Sequence, residues 1–165
     1  MREAIDRNGW PALLVDTIGE EQIRDVPHAR NVREAIEWVW GAGEHAAFIP
    51  KSADDVNALV RACADPGRVN LWIDEAPTWL TAKRGTDGPL LHLMRTHRHA
   101  RANLFLTAQH LTGDVPQAAL SCAPELFVFR CTAPAVLARL EAEGLDPESV
   151  RALPSREFIR HYNGF

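Results

Sequence analysis

Asp74 and Glu75 stand side by side directly after the run Val69-Asn70-Leu71-Trp72-Ile73, in which four of five residues are apolar. An acid pair of this kind either binds a metal ion or small ligand, or stands solvated at a strand end. Gln109 closes a second apolar run, Ala102-Asn103-Leu104-Phe105-Leu106-Thr107-Ala108, as a polar cap. Just before that run lies a basic cluster, Arg95, His97, Arg98, His99 and Arg101, in a chain whose net charge is −4. Such a cluster can touch phosphates, but no aromatic ring interleaves it and five residues do not form a nucleic-acid groove. His92 and His97 are five residues apart and fall on different helix faces, which is not the i, i+4 spacing of a helical metal site. No G-x-S-x-G elbow is present, and no Ser or Cys occupies a recognisable nucleophile motif.

The elements that would position these residues follow from periodicity. A nearly continuous apolar run such as 69–73 reads as a central strand of a parallel sheet with helices on both faces. Ligand sites in such sheets lie beyond the carboxyl ends of the strands, where Asp74 and Glu75 emerge. Further strands are expected at residues 12–16, ending in Asp16, and at 46–49, 102–108, 125–131 and 156–162. Helical spacing is expected over Val32, Ile36, Val39 and Trp40, with Gly41 and Gly43 as breakers. It recurs from Asp54 through Cys63, from Leu90 through the basic cluster, over 134–143, and over 146–153. Arg2–Arg7 reads as helical with Asn8-Gly9 as its stop, and Ala76–Leu80 as a short helical segment. Strands alternating with helices in the first two-thirds predict βαβ units and a mainly parallel α/β sheet.

Length and composition set the frame. At 165 residues the expectation is a single domain, 1–165, with a real core. Hydrophobic content of 46% with 24% charged residues describes a globular chain, not a disordered one. No apolar stretch reaches the ~18 residues of a membrane span and the polar start is no signal peptide, so a cytoplasmic protein is expected. Cys63, Cys122 and Cys131, odd in number and without CxxC spacing, read as reduced core residues. Trp38, Trp40, Trp72 and Trp79 read as core aromatics.

Three features at strand ends together resemble the FtsK/HerA-type, additional-strand P-loop ATPases, a group that includes DNA translocases, phage-packaging ATPases and Zot-like phage proteins. They are Asp16 with Gly19-Glu20 after the first strand, the pair Asp74-Glu75, and the segment from Arg98-His99 through Leu104–Thr107 to Gln109. The resemblance implies a three-layer sheet of P-loop NTPase type. It makes 69–75 a Walker B strand, with Asp74 in the Mg²⁺ shell and Glu75 polarising the attacking water. It further implies that Gln109 senses the γ-phosphate and that Arg98 is an arginine finger for a neighbour's nucleotide in a homo-oligomeric ring. Mg²⁺ and ATP are the implied cofactors and DNA an implied partner.

One departure is large: the loop G-x-x-x-x-G-K-[ST] is absent. Lys51 precedes Ser52 but follows Pro50, and Lys83 lies between Ala82 and Arg84, so neither has the Gly-Lys-Ser/Thr context that cradles phosphates. The segment Arg2–Asn8 reads as the last turns of the helix that follows such a loop. Three readings result: the distal part of a DNA-moving ATPase, a non-hydrolysing descendant serving as a binding or scaffold module, or an unrelated α/β domain whose carboxylates bind a metal or ligand. The resemblance places the phosphate-loop strand between the strand ending at Gln109 and the next strand of the chain. Without it, 125–131 is expected to pair with 102–108, since a long apolar edge invites aggregation.

Overall fold

The architecture is described from a computed structural model, over residues 9–17, 26–64, 68–80, 88–109, 111 and 115–163, with the Arg98 side chain excluded. The helix expected at Arg2–Arg7 with its Asn8 stop, the turn at 18–20, the breaks at 65–67 and 85–87, Lys83, and the turn at Gly113-Asp114 lie outside these residues. The chain divides into two compact units, Met1–Ala108 and Gln109–Phe165.

The first unit is built on a parallel sheet of strands β1 (Ala12–Val15), β2 (His28–Ala29), β3 (Ala46–Phe48), β4 (Val69–Ile73) and β5 (Ala102–Leu106), in the order β2-β3-β1-β4-β5. The run around Leu71 is therefore an interior strand, paired with β1 (Leu13 opposite Leu71) and with β5 (Leu71 opposite Leu104). Period-two alternation places Leu13, Val15, Ala46, Phe48, Val69, Leu71 and Ile73 on one face, all buried. The other face carries Ala12, Ala47 and Asn70, also buried, beside half-exposed Leu14, Trp72 and Phe105. Trp72 and Phe105, opposite each other, stack at 4.0 Å with an interplanar angle of 8°. Asn70 is tolerated inside because its amide donates to the Trp10 carbonyl (3.1 Å) and its side-chain oxygen accepts from Asn103 (2.9 Å).

The helices are α1 (Val32–Ile36), continuing as a wide π turn over Glu37–Ala42, then α2 (Ala53–Ala64) and α3 (Pro89–Ala100). The Val32–Trp40 pattern thus forms two helical types, ended by Gly43 at φ 71°, a left-handed position that suits glycine. Asn31 caps α1, accepting from the Glu34 amide at 3.0 Å. Ser52 and Asp55 form a reciprocal cap at α2: the Asp55 amide donates to Ser52 Oγ (3.3 Å). The Asp55 carboxylate accepts from the amides of Lys51 (2.8 Å) and Ser52 (3.1 Å). Val56, Leu59, Val60 and Cys63 are the buried stripe of this helix.

The second unit comprises α4 (Gln117–Cys122), β6 (Glu125–Phe129), α5 (Pro134–Ala142), α6 (Pro147–Ala152) and β7 (Phe158–Tyr162). Here the expected pairing is overturned. Residues 125–129 pair antiparallel with 158–162, Phe127 opposite Arg160, and not with β5, which among the described strands pairs with β4 alone. The physical reason is local. Val128 of β6 and Ile159 of β7, with Leu111 and Cys131, pack on the core of Val136, Leu137, Leu140, Leu145 and Val150. Strand β2 was not anticipated, because two residues are too few to show a period. No helix among the described residues is long and apolar enough to cross a membrane.

Candidate functional site

At the carboxyl edge of the parallel sheet the ladder runs one step past the strands. The Asp74 amide donates to the Val15 carbonyl (3.0 Å) and the Thr107 amide to the Ile73 carbonyl (3.1 Å). Asp16, mostly buried, ends β1 beside this position, its amide donating to the Phe48 carbonyl (2.9 Å). Thus Asp16, Asp74 and Glu75 are delivered to one edge by the ends of two neighbouring strands.

Thr107 organises the acid pair. Its hydroxyl donates to Asp74 Oδ1 (2.5 Å) and accepts from the Glu75 amide (3.0 Å), while its carbonyl accepts from the Ala76 amide (2.9 Å). Those three bonds hold Glu75 at φ 49° and ψ 49°, a left-handed conformation that costs a non-glycine residue roughly 1–2 kcal/mol. The turn re-aims the chain from strand into the 3₁₀ segment Ala76–Trp79. Trp79 ties the segment back: its indole N–H donates to Thr17 Oγ1 (2.8 Å), and that hydroxyl in turn donates to the Asp74 carbonyl.

Asp74 and Glu75 are therefore brought together with Thr107 and, through backbone, Thr17. Thr107 and Thr17 were not singled out from sequence; the available signal was a hydroxyl residue just past a strand end adjoining the acidic one. Gln109 is exposed, two residues after Thr107, and begins the second unit. Arg98 lies in the last turn of α3, which enters β5 at Ala102. Arg98 is thus at the amino edge of the sheet, the length of a five-residue strand (about 16 Å) from the edge bearing Asp74. At that amino edge Arg68 and Arg101 both take left-handed backbone, φ 57° and 53°, and the Arg68 amide donates to the Arg101 carbonyl (2.8 Å). His97 Nδ1 lies 2.7 Å from the Met94 carbonyl, within its own helix.

The donor chemistry can be tested against Mg²⁺ and a nucleotide. The site offers hard oxygens, and among the described residues no cluster of three or more His, Cys, Asp or Glu could hold a metal alone. Mg²⁺ is usually held by one or two carboxylates and completed by water and substrate phosphates. At the amino end of α2, beside Lys51-Ser52, the amides of Lys51 and Ser52 donate to the Asp55 carboxylate. An acid seated there repels the anion such an end would otherwise attract.

The five-stranded parallel sheet with its acidic carboxyl edge is of the P-loop NTPase type. Among solved structures the chain is similar to the genome-packaging NTPase B204 from Sulfolobus turreted icosahedral virus 2. In complex with AMP that protein gives a TM-score of 0.77 at 18% identity, over 97% of this chain and 81% of that one. In complex with sulfate it gives 0.79 at 17% identity, over 97% and 80%. B204, the DNA-packaging ATPase from Sulfolobus turreted icosahedral virus, gives 0.71 at 17% identity, over 99% and 87%. At these identities the likeness establishes the fold. No protein-family model matches the sequence, and no curated protein matches it.

Proposed function

We propose that this chain is the metal- and water-positioning portion of a packaging-type ATPase, its phosphate clamp not being encoded in these 165 residues. The observation that carries the reading is the Asp74–Glu75–Thr107 constellation at the carboxyl edge of β4, in a fold shared with a DNA-packaging ATPase. Asp74, fixed by the Thr107 hydroxyl, would hold the Mg²⁺ shell. Glu75, on the left-handed turn that follows Asp74, would polarise the attacking water. Gln109 contacts the terminal phosphate. When bound, Mg²⁺ supplies charge neutralisation at the transferring phosphoryl group. Arg98, a strand length away at the other sheet edge, serves a neighbouring subunit's nucleotide in a homo-oligomeric ring, and DNA is the cargo.

The occupied amino end of α2 and the missing glycine-lysine loop favour a second reading, in which the module binds or scaffolds and does not hydrolyse ATP. Calorimetric titration of the chain with Mg-ATP addresses both. Affinity weaker than about 1 mM is expected, because carboxylates without a phosphate clamp gain little from a polyanion. Micromolar binding abolished by Asp74→Ala would keep the site and overturn the missing clamp. Micromolar binding indifferent to Asp74→Ala would overturn the site itself.

A further inference from the structure

The antiparallel pair β6–β7 separates its side chains cleanly. Leu126, Val128, Ile159 and His161 alternate to one face, where Val128 and Ile159 pack on the second unit's core. The opposite face carries Glu125, Phe127 and Phe129 on β6, and Phe158, Arg160 and Tyr162 on β7. Phe127 is 52% exposed, Phe129 56%, Phe158 50% and Tyr162 58%. At ~150–250 Å² per aromatic side chain, half-exposure of four leaves on the order of 400 Å² of ring surface in water. A patch of that size, contiguous on one face, marks an interaction surface.

The rings form one interlocked layer. Phe158 sits against Phe127 (centroids 5.4 Å, edge-on) and Phe129 (5.7 Å, tilted). Arg160 lies over Tyr162 at 4.8 Å and over Phe127 at 5.7 Å. Its guanidinium also donates twice to Glu125, at 2.9 and 3.1 Å, which with the Tyr162 neighbourhood raises its pKa above the ordinary arginine value. The cation of this face is thereby neutralised within the face. Residues 109–165 hold five arginines and no lysine against seven acids, so nothing here attracts a phosphate chain.

We propose that this aromatic face is a self-association surface, on which a second copy of the chain packs its own β6–β7 pair about a two-fold axis. An isologous contact requires a self-complementary patch. This face supplies one: an apolar centre of Phe127, Phe129 and Phe158, flanked by a dipolar Arg160–Glu125 pair that meets its own copy with opposite sign. Aromatic and arginine anchors are also the residue types that dominate interface energies. Two such faces bury on the order of 800 Å² of ring surface, and the flanking polar side chains carry the total toward the ~1,200 Å² lower bound of specific interfaces. The dimer is therefore weak and reversible.

The test is sedimentation velocity on the full 165-residue chain over roughly 1–500 µM, a range spanning weak affinities. Without nucleotide, and so without the ring contact at Arg98, a monomer–dimer equilibrium is expected, and Phe158→Ser or Phe127→Ser weakens it by about tenfold or more. Unchanged thermal unfolding of both variants, whose substituted rings are exposed, separates lost association from lost fold. Arg160→Glu weakens the dimer, and the exchange Glu125→Arg with Arg160→Glu restores it. A monomer throughout that range, or an assembly indifferent to these substitutions, overturns the proposal. So does a monomeric chain that binds a single-stranded oligothymidine in a Phe158-dependent way.

Discussion

Strands β4 (VNLWI) and β6 (ELFVF) look alike as sequence, yet the molecule uses them differently. In β4, hydrogen-bonded on both sides, Val69, Asn70, Leu71 and Ile73 are buried, and the one half-exposed residue, Trp72, stacks on Phe105. In β6, paired on one side only, no residue is fully buried and Phe127 and Phe129 face water. An apolar run reports that a strand is wanted in a core; the number of strands and helices around it decides how much is covered. A parallel strand acquires two neighbours and a helical layer by topology. A two-stranded antiparallel pair has one covered face, so apolar residues on its other face stay in water.

The largest effect that separates the two regions is chemical. Burial beside the α2 stripe pushes the Cys63 thiol up to about 12, whereas Cys122 and Cys131 in the second unit are half-buried. Near pH 8 a thiol so shifted is roughly a thousandfold less ionised than an ordinary cysteine. Alkylation followed by mass spectrometry is expected to label Cys122 and Cys131 first, Cys63 reacting only through opening of the first unit. Labelling of Cys63 at the rate of the other two would break the distinction between a fully closed sheet core and the thinner core under β6 and β7.

The legibility of the fold follows the same division. Strands at 12–16, 46–49, 69–73 and 102–108 were read to within one or two residues, because their apolar runs end at turn residues. The helices over Asp54–Cys63 and Leu90–Ala100 were equally visible from their stripes. The partner of 125–131 was not legible: pairing depends on which core closes first, and Val128 with Ile159 completes one inside the second unit. In the site, the acids Asp74 and Glu75 announced themselves by type and place. Thr107 did not, because its importance lies in the left-handed turn at Glu75, and no local pattern foretells a positive φ at a glutamate.

A smaller effect sharpens the site within the first unit. Thr107→Val removes both the donor to Asp74 and the acceptor for the Glu75 amide while preserving shape. A loss of about 1–2 kcal/mol is expected in urea unfolding followed by tryptophan fluorescence, since two partners lose their bonds at once. Thr107→Ser, which keeps the hydroxyl, is expected to recover most of it. Equal losses in the two variants would mean that the methyl group, and not the hydroxyl, holds the turn.

The smallest effect tests the second unit. Asp146 caps α6 by accepting from the Ser149 hydroxyl (2.5 Å) and from the amides of Ser149 (3.0 Å) and Glu148 (3.3 Å). The Ser149 hydroxyl, then its amide, hold the Asp146 carboxyl below the ordinary aspartate value. A group whose folded pKa is depressed stabilises fully above its unfolded value and ceases to do so as the pH falls through the folded one. The stability difference between the wild-type chain and Asp146→Ala is therefore expected to be constant from neutral pH down to the ordinary aspartate range and to vanish in stronger acid. The cap is solvent-exposed and screened, so the difference is small. Asp146→Asn, which caps without titrating, is expected to hold its stability relative to Asp146→Ala through the same acid range. Helicity measured against pH decides between them. A difference that persists in strong acid for the wild-type aspartate would show that the cap acts through shape and not through charge.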